Sequence, residues 1–162
     1  MMRRKQNNVA QRGIGIVEVV VALGLIGIAF GGVSTVAQFS IRVQRTLVME
    51  QRAALLAVEG LEVTKFDRDA AWVTFSGRPI DTDLYPEYSG SVAQLTATDP
   101  GPVDGIYTRT IRLSRVYRDV SGDIAAMGTE DTNARHVLVT VAWTDAFGFS
   151  RSFELEAYML HI

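Results

Sequence analysis

One uninterrupted hydrophobic segment dominates the N-terminal quarter of the chain. No charged residue occurs from Val19 to Ile41, a run of 23 residues. As a helix that rises 1.5 Å per residue, this run spans about 35 Å, slightly more than the roughly 30 Å hydrocarbon core of a bilayer. Because a helix this apolar has no polar face for water, the pattern favours a membrane-spanning helix over the buried helix of a soluble protein.

Beyond Arg42 the hydrophobic residues become periodic. No proline occurs before Pro79, so we expect the helix to continue to about Phe66. One broad face of this half carries six apolar residues: Leu47, Ala54, Leu55, Val58, Leu61 and Phe66. The sequence predicts that this amphipathic half packs that face against a sheet.

The clearest strand signals come last. Two runs alternate with the period of two that is typical of strands: Val137, Val139, Val141 and Trp143, then Phe149, Phe153, Leu155, Ala157 and Met159. The short connection at 145–148 predicts a hairpin. We therefore expect an α+β fold, with a long N-terminal helix packed on a C-terminal antiparallel β-sheet.

The middle of the chain is less regular. Asp67 to Gly105 is rich in glycine and proline and is expected to be a long connecting region, with a weak strand at 91–97. A better strand candidate runs from Ile106 to Tyr117. Because Arg109 and Arg115 interrupt its apolar side, we expect that strand to lie near a sheet edge.

Charge is divided unevenly along the chain. Four of the 16 basic residues and none of the 18 acidic ones precede Gly13, so the remainder carries a net charge of −6. An acidic body with scattered arginines argues against nucleic acid as the primary partner. The basic flank ahead of the apolar run predicts a single pass across the cytoplasmic membrane with the N-terminus in the cytoplasm. A cleaved secretory signal would have a shorter apolar region of about 7 to 15 residues.

Three glycines share one face of the predicted membrane helix: Gly24, Gly27 and Gly31. Small residues at this spacing allow a second helix to approach closely. Glycine also weakens a helix by about 1 kcal/mol relative to alanine, so local loosening of the helix is an equal alternative.

One glutamate, Glu18, stands inside the apolar run that begins at Ile14. A carboxylate in hydrocarbon costs at least roughly 2.5 to 3.5 kcal/mol, so an acid at this depth is by default paired or functional. The alternative is that Glu18 lies near the cytoplasmic end of the span and reaches the lipid headgroups.

The surrounding residues resemble the class III signal of type IV pilins and type II secretion pseudopilins. That signal has a short basic leader ending in glycine, then a hydrophobic first residue, glutamate at the fifth position and a long apolar helix. Here the leader is MMRRKQNNVAQRG, and Glu18 is the fifth residue after Gly13. The segment EVVVAL, from Glu18, is also similar to the start of minor pilins.

The resemblance implies a prepilin peptidase that cuts between Gly13 and Ile14, with N-methylation of Ile14. It also implies that Glu18 neutralises the ammonium of Ile14, its own or a neighbour's, inside a filament of homologous or identical subunits. The helix lacks the proline, and the chain the cysteine pair, of many major pilins. Both absences favour a minor pilin or pseudopilin, and the terminal hairpin is similar to part of the pilin sheet.

Catalytic motifs are absent from the sequence. The two histidines, His136 and His161, belong to no H-E-x-x-H motif, and neither a G-x-S-x-G motif nor a phosphate loop occurs. Without cysteine there are no disulfides, thiolate metal sites or cysteine nucleophiles. Two acidic groups could offer oxygen ligands to calcium, but they lack the spacing of a calcium loop and are expected to be solvated turns: Asp81, Asp83 and Glu87, and Asp119 with Asp123. We expect no enzyme and no cofactor.

These expectations divide the chain into a leader (1–13), a transmembrane and polymerisation helix (14–41) and an extracytoplasmic globular domain (42–162). The main hypothesis is a minor pilin or pseudopilin that assembles into a pilus or secretion pseudopilus. One alternative is an uncleaved, signal-anchored binding or adhesion module that does not polymerise. Another is an anchored extracytoplasmic enzyme, in which His136 would be the residue to test.

Overall fold

A single long helix begins the structure. The computed structural model describes residues 15–90 and 92–161. Helix α1 spans Ile16–Ala70, four residues beyond the predicted end at Phe66. The chain divides into two compact units, Met1–Ile41 and Arg42–Ile162, and α1 contributes to both.

In the first unit, every described residue is exposed. The apolar stretch of α1 is long and hydrophobic enough to cross a membrane, and none of its most hydrophobic window is buried within the chain. This part of α1 therefore takes no part in the protein's own core. It differs in this respect from the core helix of a soluble protein, which is mostly buried.

The second unit places the rest of α1 on an antiparallel sheet. Its further elements are helix α2 (Trp72–Ser76) and strands β1 (Asp83–Ser89), β2 (Val92–Thr96), β3 (Thr108–Arg118), β4 (Ile124–Ala125), β5 (Thr129–Thr144) and β6 (Ser150–Leu160). The strand order is β2-β1-β3-β5-β6, and β4 pairs with the end of β3. The structure thus confirms the predicted α+β fold of a long helix on an antiparallel sheet.

Strands β5 and β6 form the predicted hairpin. Eleven residue pairs join them in one register, from Ala134 with Leu160 to Thr144 with Ser150. The inward series on β5 is buried as expected, including Trp143 at 7% exposure. The inward series on β6 is confirmed except at Phe149, which precedes the strand and is exposed.

The face of α1 that packs on the sheet is not the predicted one. The buried residues of the helix are Ala53, Leu56, Ala57, Gly60, Val63, Thr64 and Asp67. Of the six residues expected to be buried, four are exposed: Leu47, Leu55, Val58 and Phe66. Only Leu61 of that set packs against the core as a partly buried residue. The face that packs on the sheet combines small residues around Gly60 with Leu56 and Val63.

Close approach between helix and sheet explains this choice of face. A Cβ atom added at Gly60 would lie 3.0 Å from Cγ1 of Val139 on β5 and 3.5 Å from Cδ1 of Ile111 on β3. Real Cβ atoms essentially never make much shorter contacts, so the helix axis lies as near to the sheet as a glycine allows. Leucine or valine at this position would hold the helix further away.

Two other expectations are corrected. Strand β3 lies inside the sheet, between β1 and β5, and not near an edge. The connecting region also contains more structure than predicted, because α2, β1 and β2 all lie within 67–105. The weak strand at 91–97 is confirmed as β2, whereas β1 was missed because Pro86 in its middle is a residue that strands usually exclude.

Candidate assembly surfaces

The predicted signal lies at the edge of the described residues. Gly13 and Ile14, the predicted cleavage and methylation positions, fall outside them. Glu18 lies in the first turn of α1, and its backbone N–H donates to the carbonyl of Gly15 at 2.9 Å. A carboxylate at this position interacts favourably with the positive end of the helix dipole. Its side chain is exposed, and among residues 15–90 and 92–161 no cation pairs with it.

The three predicted packing glycines lie on an open face. A Cβ atom at Gly24, Gly27 or Gly31 would have no other heavy atom within 4 Å, apart from its own helix backbone nearby. The hydroxyl of Thr35 donates to the carbonyl of Gly31 at 2.9 Å, one turn away. The close helix packing expected here involves no described part of this chain, so the face is available to another molecule.

A second apolar surface runs along the part of α1 that belongs to the second unit. We call it the apolar stripe; it consists of Leu47, Val48, Leu55, Val58 and Phe66, all exposed. At 100° per residue these five fall within one face of the helix, roughly opposite the face that buries Ala57 and Gly60. The face against the sheet combines small residues with Leu56 and Val63, and the opposite face carries the apolar stripe, which Gln51, Glu62 and Lys65 interrupt.

A bilayer does not account for the apolar stripe. Phe66 lies 24 residues after Arg42, which is about 36 Å along a helix and more than the thickness of a hydrocarbon core. The intervening helix also carries exposed charges, among them Glu50, Arg52 and Glu59. Such a pattern suits contact with another protein surface better than immersion in lipid.

The helix is tied to the sheet by a buried arginine. Arg109 on β3 donates from Nη1 to the carbonyl of Leu56 at 3.1 Å, and the same atom lies 3.3 Å from Oε2 of Glu59. Tyr88 on β1 donates its hydroxyl to Glu59 as well. Burial and this hydrogen bond raise the pKa of Tyr88. Sequence reasoning took Arg109 as a sign of an exposed edge, but its long stem crosses the core and its head reaches the helix backbone.

A buried carboxylate organises the β5–β6 turn. Asp145 has no exposed side-chain surface and accepts hydrogen bonds from the backbone N–H groups of Phe147 and Phe149, both at 2.9 Å. Its other oxygen lies 2.9 Å from Nε of Arg151. Burial alone would raise the pKa of Asp145, but these donors outweigh it and hold the pKa below its usual value. The Asp145 carboxylate thus stabilises the turn through hydrogen bonds to its backbone N–H groups.

Three polar side chains form a row across the outer face of the sheet. Nδ1 of His136 lies 3.1 Å from Oγ of Ser114, and Nε2 lies 3.4 Å from Oε2 of Glu156. A neutral imidazole that donates from Nε2 to the glutamate leaves Nδ1 to accept from the serine. The side chain of Glu156 is 63% exposed, so water screens its pairing with His136. The row links β3, β5 and β6 across the sheet.

Three of the five acidic residues considered for calcium accept hydrogen bonds from other groups. Asp83 accepts two hydrogen bonds from Arg112, and Glu87 accepts one from Gln94. Asp119 accepts from the backbone N–H groups of Ser121 and Asp123, the arrangement of an Asx turn. In the described part of the chain, no group of three or more metal-binding side chains converges.

A shallow cleft of about 450 Å³ lies near the end of α1, lined by Arg68, Asp69, Trp72 and His161. The rings of Trp72 and His161 stack at 5.2 Å. Arg68 already pairs with Asp69 at 2.6 Å, so the charge available in the cleft is small.

Comparison with known proteins does not add an identity, since no family model, curated protein or solved structure matches the chain.

Proposed function

We propose that the protein is a structural subunit, a minor pilin or pseudopilin, that polymerises through α1. In this proposal a prepilin peptidase removes residues 1–13 and methylates Ile14. The chain is first anchored in the cytoplasmic membrane with its N-terminus inside. It then enters an extracytoplasmic filament together with other pilins or pseudopilins.

The observation that carries the proposal is the apolar stripe. In the second unit α1 buries Leu56 and Val63 beside alanine and glycine, yet it leaves five large apolar side chains exposed: Leu47, Val48, Leu55, Val58 and Phe66. Each large apolar side chain that moves from water into a packed interface contributes about 1.5 to 3 kcal/mol. Helix packing between subunits would supply this burial, and the open glycine face would do the same within the first unit.

Glu18 has a defined part in the same proposal. Cleavage before Ile14 creates an ammonium group that would be buried when subunits pack together. The Glu18 carboxylate, which has no cation partner among the described residues, would neutralise it. The residue thus acts in assembly, after insertion and cleavage are complete.

Fractionation of cells that carry single variants tests the proposal. We expect Val58→Lys and Glu18→Ala to insert and be cleaved normally, but to reach sheared filaments with a share reduced roughly tenfold or more. An unpaired buried charge costs more than the 1.4 kcal/mol that corresponds to a tenfold change. Val73→Lys makes the same chemical change at an exposed valine of α2 and serves as the matched control.

Intact-mass measurement of the membrane-extracted protein completes the experiment. The expected mass is that of residues 14–162, with one added methyl group. Retention of residues 1–13 beside an active prepilin peptidase would contradict the subunit proposal and favour the uncleaved anchored module. Equal filament shares for Val58→Lys and Val73→Lys would show that the apolar stripe is not an assembly surface.

A further inference from the structure

Strand β6 forms an open edge of the sheet. It pairs with β5 along all 11 of its residues, and no strand in the described ranges pairs with its other side. The opposite edge of the sheet is β2, which has only five residues. A long edge strand carries a row of backbone N–H and C=O groups that can form hydrogen bonds to another extended chain.

Strand β6 lacks several of the features that prevent such pairing, although it carries the charged residues Arg151, Glu154 and Glu156. Natural edge strands are often short, carry lysine or proline, or are interrupted by a bulge. The sequence SRSFELEAYML has no proline, glycine or lysine, and its register with β5 has no shift. By contrast, the opposite edge strand, β2, has only five residues and offers a shorter row of backbone groups.

The core is incomplete at β6. Val137, Val139 and Val141 on β5 are fully buried, but the β6 residues opposite them are only partly buried. Those residues are Ala157, Leu155 and Phe153. An added strand with apolar side chains at alternate positions would cover their free side, as an interior strand does.

The outer face of β6 determines the charge of the partner. Glu154 and Glu156 lie there, exposed, and the other residues of that face are Ser150, Ser152, Tyr158 and Leu160. The only arginine of the strand, Arg151, points to the inner side and is held by Asp145. Within residues 15–90 and 92–161, the ion-pair partner of Glu156 is His136 at 3.4 Å, and it is cationic only when protonated.

A second copy of this chain does not fit that face. Two β6 strands paired antiparallel about a two-fold axis keep like faces together, so four glutamates would share one surface with no arginine or lysine from either strand. Like charges on neighbouring strands destabilise a sheet. A different polypeptide with basic residues at those positions has no such penalty.

We propose that β6 is a strand-addition site for an extended segment of another protein, with lysine or arginine facing Glu154 and Glu156 and apolar residues between them. The interaction is separate from filament packing, because the apolar stripe and β6 share no residue. Backbone hydrogen bonds would supply affinity, and the alternating pattern would supply selectivity. The two glutamates then select against acidic segments.

Binding of labelled peptides to the full chain in detergent micelles tests this assignment. The probe is an 11-residue peptide of alternating valine and lysine. Control peptides carry glutamate in place of lysine, or the same side chains with N-methylated backbone amides. We expect fluorescence anisotropy to detect the basic peptide only, with amide hydrogen exchange slowed in β6 and not in β2.

A pair of double variants isolates the charge effect. Glu154→Lys with Glu156→Lys should weaken binding at least tenfold, because tenfold needs only 1.4 kcal/mol. Glu50→Lys with Glu62→Lys changes the net charge equally on α1 and should leave affinity within twofold of the original. Equal binding of the N-methylated peptide or absence of β6 protection would overturn strand addition. Protection of β6 by self-association without peptide would show that a second copy is the occupant.

Discussion

Trp143 ends the inward series of β5, and its ring lies 6.1 Å from that of Tyr107. Its Nε1 is buried without a hydrogen-bond partner in the described structure, so its contribution is one of packing. We expect Trp143→Ala to lower the free energy of unfolding by about 3 to 5 kcal/mol. Trp143→Phe should cost less, because it keeps an aromatic ring and removes the unpaired N–H.

Urea denaturation of the purified variants measures both changes. Phe149→Ala serves as the control, because Phe149 is 63% exposed and should change stability by no more than about 0.5 kcal/mol. A loss below about 1 kcal/mol for Trp143→Ala would be inconsistent with a core position.

At the scale of residues, alternation in the sequence predicted the buried valines of β5, because strand geometry repeats every two residues. The buried charges were not predictable in the same way. Arg109 has its acceptor at Leu56, 53 positions earlier, and a pattern read along one strand does not contain that distance. Asp145 is buried because its own turn presents N–H groups to it, a local geometry that depends on how the hairpin closes.

Among the elements, α1 owes its close packing on the sheet to Gly60. Gly60→Val should lower the free energy of unfolding by about 1 to 3 kcal/mol, because its added carbons would overlap Val139 and the stem of Arg109. Valine has a higher helix propensity than glycine, so propensity does not explain this loss. Glu62→Val places a valine on the exposed side of the same helix and should cost less than about 0.7 kcal/mol. Thermal or urea melts that show equal losses for the two variants would refute the close approach.

The existence of α1 was readable from the sequence, but its orientation was not. Hydrophobic periodicity marks an apolar face without saying whether the partner lies in the same chain. In α1 two faces compete, one of small residues around Ala57 and Gly60 and one that contains Leu55 and Phe66. The sheet takes the small face because it allows closer packing, and the larger face stays exposed.

For the molecule as a whole, the division at Arg42 implies that the second unit is self-sufficient. All residues of the hydrophobic core, and those partly buried against it, lie between Met49 and Met159. We expect a fragment of residues 42–162 to fold cooperatively, because every described residue of the first unit, 15–41, is exposed and none belongs to the core. Circular dichroism and a single urea transition would measure this. A fragment without a cooperative transition would show that the first unit contributes to stability.

The position of β5 in the sheet also affects the biosynthesis of the protein. Val139, which touches the small face of α1, follows Gly60 by 79 positions. At about 5 to 20 residues per second, the ribosome needs roughly 4 to 16 s to add that stretch. During this interval the second half of α1 lacks the sheet that covers one of its faces, so both of its faces are exposed. Until β5 and β6 are made, this half of α1 therefore exposes apolar side chains that are prone to aggregation.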